Sequence, residues 1–86
     1  MIIKPCTSHP GLLVYTGTEI DLIKVRNYLS KIENIKILKY DEFLLTIQIE
    51  DTKISIFPDG RIILLNIYDE KLAKSIVSKL LKYLGQ

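Results

Sequence analysis

The chain has 86 residues, which is enough for one compact domain and too few for a second. Hydrophobic residues make up 48% of it, yet no apolar run reaches the ~20 residues that span a bilayer and the N-terminus lacks the apolar segment of a secretory signal, so we expect a cytoplasmic protein with no membrane contact. The 12 Lys and Arg residues against 10 Asp and Glu residues give a net charge of +2, which is too small to indicate nucleic-acid binding by itself.

Residues 1–10 predict an N-terminal arm. Pro5 and Pro10 flank a polar stretch, and proline disfavours regular strand pairing. The arm holds Cys6 and His9 at the spacing of half a zinc site. A structural zinc needs four ligands. Because the chain has one Cys and one His, only a dimer could supply four thiolate and imidazole ligands. We therefore expect an ordinary exposed thiol, no bound metal and no cofactor.

The domain of residues 11–86 opens with a predicted strand and a predicted helix. The short apolar run at residues 12–16 is typical of a strand. Thr18 suits the N-cap of a helix that extends to about Ile32. The apolar positions of this helix recur at three- and six-residue steps, which predicts one buried face. The residues expected on that face are Ile20, Leu22, Ile23, Val25, Leu29 and Ile32.

The middle of the chain predicts four strands, at residues 35–40, 43–50, 53–57 and 61–67. The last two are joined by a tight Pro-Asp-Gly turn at residues 58–60. Alternation is sharpest in the second of these strands, as expected for a sheet with one covered face. It places Phe43, Leu45, Ile47 and Ile49 in the core and Thr46, Gln48 and Glu50 on the open face.

A second helix follows the strands. Asp69 suits its N-cap, and Glu70 suits the positive end of the helix dipole. The expected buried stripe consists of Leu72, Ile76, Leu80 and Leu84, broadened by Ala73, Val77 and Leu81, with Gly85 as the terminating residue. The order strand, helix, strands, helix predicts an α+β fold, with a curved antiparallel sheet of about five strands and both helices packed on one of its faces.

The segment Ile56-Phe57-Pro58-Asp59-Gly60-Arg61, the strand after it and the acidic pair Asp69-Glu70 resemble one half-repeat of the TATA-box-binding protein family. That family shows a strand ending in Ile-Phe, a turn ending in Gly-Lys, another strand and an acidic helix start. Ile20-Asp21-Leu22 is also similar to the family's leucine-aspartate-leucine entry to its first helix. The resemblance covers residues 11–85 and implies the fold of such a half-repeat.

The resemblance also implies roles for individual residues. Phe57 matches a phenylalanine that acts as a wedge between base steps, and Arg61 matches a basic position near phosphates. Ile63 and Leu65 would share the open face and contact a minor groove. The family needs two tandem half-repeats to form its saddle, so this chain would reproduce one only as a homodimer.

A second resemblance covers the last half of the chain. The Phe-Pro-Asp-Gly-Arg strand at residues 57–61 and the helix after it are similar to the small C-terminal extension of adenylyltransferases of the ubiquitin-activating type. In those proteins the extension is an accessory domain without chemistry of its own, and the nucleotide-binding domain is absent from this chain.

The residues themselves do not form a catalytic constellation. The acidic pairs Asp41-Glu42 and Asp69-Glu70 lie at a predicted turn and a predicted helix start, where capping explains them without acid or base catalysis. The four glycines are scattered rather than grouped in a phosphate-binding loop. We therefore expect that the protein is not an enzyme.

The sequence leaves two kinds of function open. The favoured one is a non-enzymatic interaction module, which binds a protein partner or its own copy through Phe57, Arg61, Ile63 and Leu65 on the open sheet face. The alternative is DNA minor-groove binding by a homodimeric half-saddle. In that case Phe57 is the wedge and Arg61, Lys71 and Lys74 contact phosphates.

Overall fold

The computed structural model describes residues 2–7 and 10–83. Within them the chain forms six strands and two helices. These are β1 (Ile2–Pro5), β2 (Gly11–Tyr15), α1 (Leu22–Leu29), β3 (Ile35–Tyr40), β4 (Leu45–Ile49), β5 (Thr52–Ile56), β6 (Arg61–Leu65) and α2 (Glu70–Tyr83). All strand pairs are antiparallel, in the order β1-β2-β6-β5-β4-β3, so the predicted α+β class is confirmed with six strands rather than five. In the described ranges, neither helix is long and apolar enough to cross a membrane.

Both helices cover the same face of this sheet. Alternate residues of the strands face them, and the helices contribute residues three and four positions apart, so the two layers share one apolar core. The buried core residues are Leu12, Val14, Ile20, Leu22, Val25, Leu29, Leu45, Ile47, Ile54, Ile56, Ile62, Leu64, Ile67, Ala73, Val77 and Leu80. Within residues 2–7 and 10–83, no helix lies on the opposite face of the sheet, which is called the open face below.

The N-terminus forms an edge strand where an unpaired arm is predicted from the sequence. Ile2–Pro5 pairs with β2, and Ile3 lies opposite Val14 on the covered face. Proline is tolerated there because an edge strand has no partner on its outer side to receive an N–H. The Cys6 N–H also donates to the Gly11 carbonyl at 3.0 Å, which closes the connection between the two strands.

Helix α1 begins three residues later than the sequence pattern predicts. Its N-cap is Asp21, not Thr18, because the Asp21 carboxylate accepts hydrogen bonds from the N–H groups of Ile23 and Lys24 at 3.1 and 3.4 Å. The residues before it are held in the loop, where the Ile20 N–H donates to the Pro58 carbonyl at 2.9 Å. The buried face of α1 consists of Leu22, Val25 and Leu29. Ile23 is 60% exposed, although the sequence pattern places it on the buried face.

Helix α2 starts as predicted. The Asp69 carboxylate accepts from the Lys71 N–H at 2.9 Å and from the Leu72 N–H at 3.4 Å, which confirms the N-cap. The buried stripe is rotated relative to the prediction. Leu72 is 49% exposed, and the buried positions are Ala73, Val77 and Leu80. The predicted Leu84 and Gly85 positions lie outside the described residues.

Strand β4 is shorter at both ends than predicted. Phe43 precedes it and is 70% exposed, so its predicted place in the core is wrong. The cause is a local turn, because the Phe43 N–H donates to the Asp41 carboxylate at 2.8 Å and the Asp41 N–H donates to the Leu44 carbonyl at 3.0 Å. Glu50 lies after the strand in the turn to β5, with a φ of 54°, and not on the open face of the strand.

Candidate binding face

The hairpin between β5 and β6 positions Phe57 and Arg61. Three residues separate them, the Phe57 N–H donates to the Arg61 carbonyl at 2.9 Å, and the Gly60 N–H donates to the Phe57 carbonyl at 3.1 Å. Gly60 has a φ of +96°, as the last position of such a three-residue loop requires. A side chain there would also collide with the Thr18 carbonyl oxygen. The turn is therefore specified by glycine and docked on the β2–α1 loop.

Arg61 covers the ring of Phe57. Its guanidinium carbon lies 4.6 Å from the ring centroid, and its Nε lies 2.7 Å from a carboxylate oxygen of Asp59. The other Asp59 oxygen accepts from the Arg61 N–H at 3.1 Å. One face of the Phe57 ring is thus occupied and the Arg61 charge is already paired. Both the wedge role and the phosphate role implied by the resemblance require this arrangement to open.

The open face has an apolar half. Arg61 lies opposite Tyr15, Ile63 opposite Leu13 and Leu65 opposite Gly11, so the outward residues of β6 and β2 form one surface, with β1 at its edge. We call the following set the apolar half: Ile2, Leu13, Tyr15, Phe57, Ile63 and Leu65. Ile2 and Tyr15 are exposed, and the other four are half-buried by their neighbours.

The other side of the same face is polar and cationic. The register places Lys36 opposite Gln48, Gln48 opposite Lys53 and Thr46 opposite Ser55. A bulge between Ile37 and Lys39 shifts the β3 register, so Lys39 lies opposite Thr46 on the open face although only two residues separate it from Lys36. We call the following set the basic half: Lys36, Lys39, Thr46, Gln48, Lys53 and Ser55.

Charges are distributed asymmetrically over the sheet. None of the six strands contains an aspartate or glutamate, and all ten of these residues lie in turns, loops or near helix starts. The strands contain five cationic residues, and the register places every one of them on the open face. These are Lys4, Lys36, Lys39, Lys53 and Arg61. The face therefore carries a positive potential that the net charge of +2 does not reveal.

The structure brings some of the predicted site residues together and separates others. Phe57, Arg61, Ile63 and Leu65 share the open face, near the β5–β6 hairpin and along β6. Lys71 and Lys74 lie on α2 with Glu70 and Ile3, on the side of the sheet that the helices cover. A single flat ligand on the open face does not reach these two lysines.

The sequence pattern places Thr46 and Gln48 on the open face, but it does not predict that lysines accompany them. Lys53 alternates with Ser55 and Phe57, so its face follows from the pattern once the hairpin is accepted. Lys36 and Lys39 follow only from the sheet order and the bulge, neither of which has a local signal. Leu13 and Tyr15 share a face by alternation, but their position beside β6 depends on a pairing that is distant in sequence.

Other features of the described residues give little chemistry. Cys6 is half-buried, whereas the sequence predicts an exposed thiol, and its proposed metal partner His9 lies outside the described residues. Within residues 2–7 and 10–83, no cluster of three or more His, Cys, Asp or Glu side chains is arranged so that it could hold a metal ion.

A cleft of about 310 Å³ opens between α2 and the ends of β3, β4 and β5. Its lining is mainly aliphatic, with Lys79 and Glu50 as its charged residues.

No protein-family model, no curated protein and no solved structure matches the chain.

Proposed function

We propose that the protein is a non-catalytic interaction module that binds a protein partner through the open sheet face. The observation that carries the proposal is the apolar half, in which Leu13, Ile63 and Leu65 lie side by side without a covering layer. Proteins that act alone rarely leave a contiguous apolar patch uncovered, and such a patch rimmed by polar residues is typical of an interaction site. The basic half supplies the polar border.

The partner is a different protein rather than a second copy. Six strands spaced about 4.8 Å apart and five-residue strands of about 17 Å give a face of roughly 400 Å² in projection. A stable interface buries about 800 Å² on each partner. Stacking two open faces would also bring five cations against five. The size of the face implies a small contact with any partner, and the repulsion between like charges favours a different protein over a homodimer built on this face.

Nucleic-acid binding is the second candidate, and the five strand cations favour it. The family resemblance suggests that Phe57 enters a minor groove in such a complex. This requires Arg61 to leave the Phe57 ring and the Asp59 carboxylate. It also requires a second copy to complete the saddle. The protein-binding function needs neither step, so we rank it first.

Site-specific photo-crosslinking in cells tests the proposal. A benzophenone-bearing amino acid replaces Ile63 on the open face, and in a matched control it replaces Leu72, an exposed aliphatic residue on α2. We expect a discrete adduct at position 63 that protease removes and nuclease does not, and no such adduct at position 72. Equal labelling at the two positions contradicts the proposal. A nuclease-sensitive adduct at position 63 supports the second candidate instead.

A further inference from the structure

We infer that the docking element of the partner is a segment whose aliphatic residues and carboxylates lie in separate halves of its length, placed across the strands of the open face. Its aliphatic half covers β6, β2 and Ile2 at the edge on β1, and its acidic half covers β5, β4 and β3. This inference rests on the proposed function and adds the chemistry of the partner. It follows from the division of the face, from the unpaired lysines and from the dimensions of the sheet.

The two halves of the face are spatially separate. Along the central row, Lys39, Thr46 and Ser55 on β3, β4 and β5 are followed by Ile63 and Leu13 on β6 and β2. The row ends with Lys4 on the edge strand β1. The surface therefore changes from polar to apolar at the boundary between β5 and β6, and Lys4 borders the apolar half at the outer edge of the sheet. A ligand that alternates apolar and charged groups along its length would place half of them on the wrong surface, because a buried unpaired charge is costly.

The lysines of the basic half lack intramolecular anionic partners. Among the described residues, none of Lys36, Lys39 and Lys53 forms an ion pair, in contrast to Arg61 with Asp59. The uncharged side chains between them are partly satisfied within the sheet. Thr46 and Ser55 hydroxyls lie 3.3 Å apart, and the Gln48 amide donates to the Glu50 carbonyl at 2.8 Å. The groups of this half that remain unpaired are therefore the lysine ammonium groups, and carboxylates of a partner would complement their positive charge.

A nucleic acid fits this division less well than a protein segment. Its phosphates repeat along the whole strand, so part of the backbone would lie over Leu13, Ile63 and Leu65. Base stacking would require open aromatic faces. The Phe57 ring is covered on one side by Arg61, and the exposed Tyr15 lies in the apolar half, away from the lysines of the basic half. No aromatic residue lies in the basic half. These features favour a protein segment of mixed aliphatic and acidic character.

The length of the segment follows from the width of the sheet. Six strands span roughly 25 Å, which a helix of about 16 residues covers at 1.5 Å per residue. The probe is therefore a fluorescent peptide of about that length, with leucines at helical spacing in one half and glutamates in the other. Its control peptide has the same composition with leucines and glutamates interleaved. Binding is measured by fluorescence anisotropy with the full chain.

The inference predicts that the block peptide binds about tenfold more tightly than the interleaved peptide. Reversing two charges with Lys36→Glu and Lys53→Glu weakens block-peptide binding about tenfold, because attraction at two exposed sites becomes repulsion. The matched variant Lys71→Glu with Lys74→Glu, on α2, leaves it unchanged. Circular dichroism of both variants checks that these exposed substitutions leave the fold intact.

Three outcomes overturn the inference. The first is no block-peptide binding at millimolar concentration, and the second is equal affinity for the two peptides. The third is displacement of the block peptide by single-stranded oligothymidine with a steep salt dependence, which indicates a nucleic-acid surface. If a protein adduct forms at position 63 in cells while the peptide fails to bind, the proposed function stands and the partner chemistry is wrong. If the adduct is also missing, both are wrong.

Discussion

Gly60 is the position at which one added methyl group tests the docking of the β5–β6 hairpin. It adopts a φ of +96°, and a Cβ there would collide with the Thr18 carbonyl oxygen and lie 2.7 Å from the Thr16 hydroxyl oxygen. The Gly60 carbonyl accepts from the Thr16 N–H at 3.1 Å and from the Thr16 hydroxyl at 2.9 Å. Gly60→Ala must therefore push the hairpin away from the β2–α1 loop and break both hydrogen bonds.

The loss in the free energy of unfolding follows from these contacts. Placing alanine at a positive φ costs about 1 kcal/mol, since L residues rarely adopt it. Each lost hydrogen bond costs about 1 kcal/mol. We therefore expect Gly60→Ala to lower the free energy of unfolding by about 3 kcal/mol, a large fraction of the 5–15 kcal/mol that is typical of small domains. Urea denaturation followed by circular dichroism measures this difference.

Gly17 supplies the control. It also has a positive φ, +78°, but a Cβ there meets no atom within 4 Å. Gly17→Ala should therefore cost only the conformational part, about 1 kcal/mol. If Gly60→Ala is no more destabilising than Gly17→Ala, the hairpin is not held against the loop as described.

Three further predictions address the helix cap, the core register and the surface ion pair. Asp69→Ala removes the α2 N-cap and should lower the free energy of unfolding by about 1 kcal/mol in thermal melts, with a smaller loss for Asp69→Ser. Ile47→Ala should lower the free energy of unfolding by about 3 kcal/mol because the side chain is fully buried. Phe43→Ala should change it by less than about 0.5 kcal/mol because that side chain is exposed. The reverse order of the two losses in urea titrations would contradict the β4 register. Asp59→Asn should cost under about 1 kcal/mol, because its ion pair with Arg61 is exposed, and a larger loss would mean that the pair organises the turn.

The features that the sequence predicted well have local causes. Asp69 caps the helix that follows it through its own carboxylate, and the Pro-Asp-Gly turn is set by three adjacent residues. Alternation identified the covered residues of β5 for the same reason, since Ile54 and Ile56 need only their neighbours to define a face. It could not do so for β6, because that strand is apolar on both faces. The α+β class followed from the order of such segments.

The features that the sequence did not predict depend on contacts between distant residues. Strand β1 forms because Ile2–Pro5 pairs with the edge of β2, although Pro5 locally disfavours strand pairing. Asp21 caps α1 locally, but the hydrogen bond from the Ile20 N–H to the Pro58 carbonyl of the β5–β6 turn holds the residue before the cap in the loop. The basic half depends on the bulge that places Lys39 on the same face as Lys36, and the sequence of β3 contains no local signal for this bulge. The apolar half was partly predicted, because the family resemblance placed Ile63 and Leu65 together on the open face.

The position of β6 in the sheet has a consequence for folding. This strand, Arg61–Leu65, joins β2 on one side to β5 on the other, and β2 has no other partner besides β1. A nascent chain that ends before Arg61 therefore holds two separate pieces, a β1-β2 hairpin and a β3-β4-β5 meander, with no strand to connect them. Pairings between segments so distant in sequence form slowly, because a long loop must close first. Synthesis of β6 is thus the step that completes the sheet. Until then, the side of β2 that pairs with β6 in the folded protein has no neighbouring strand.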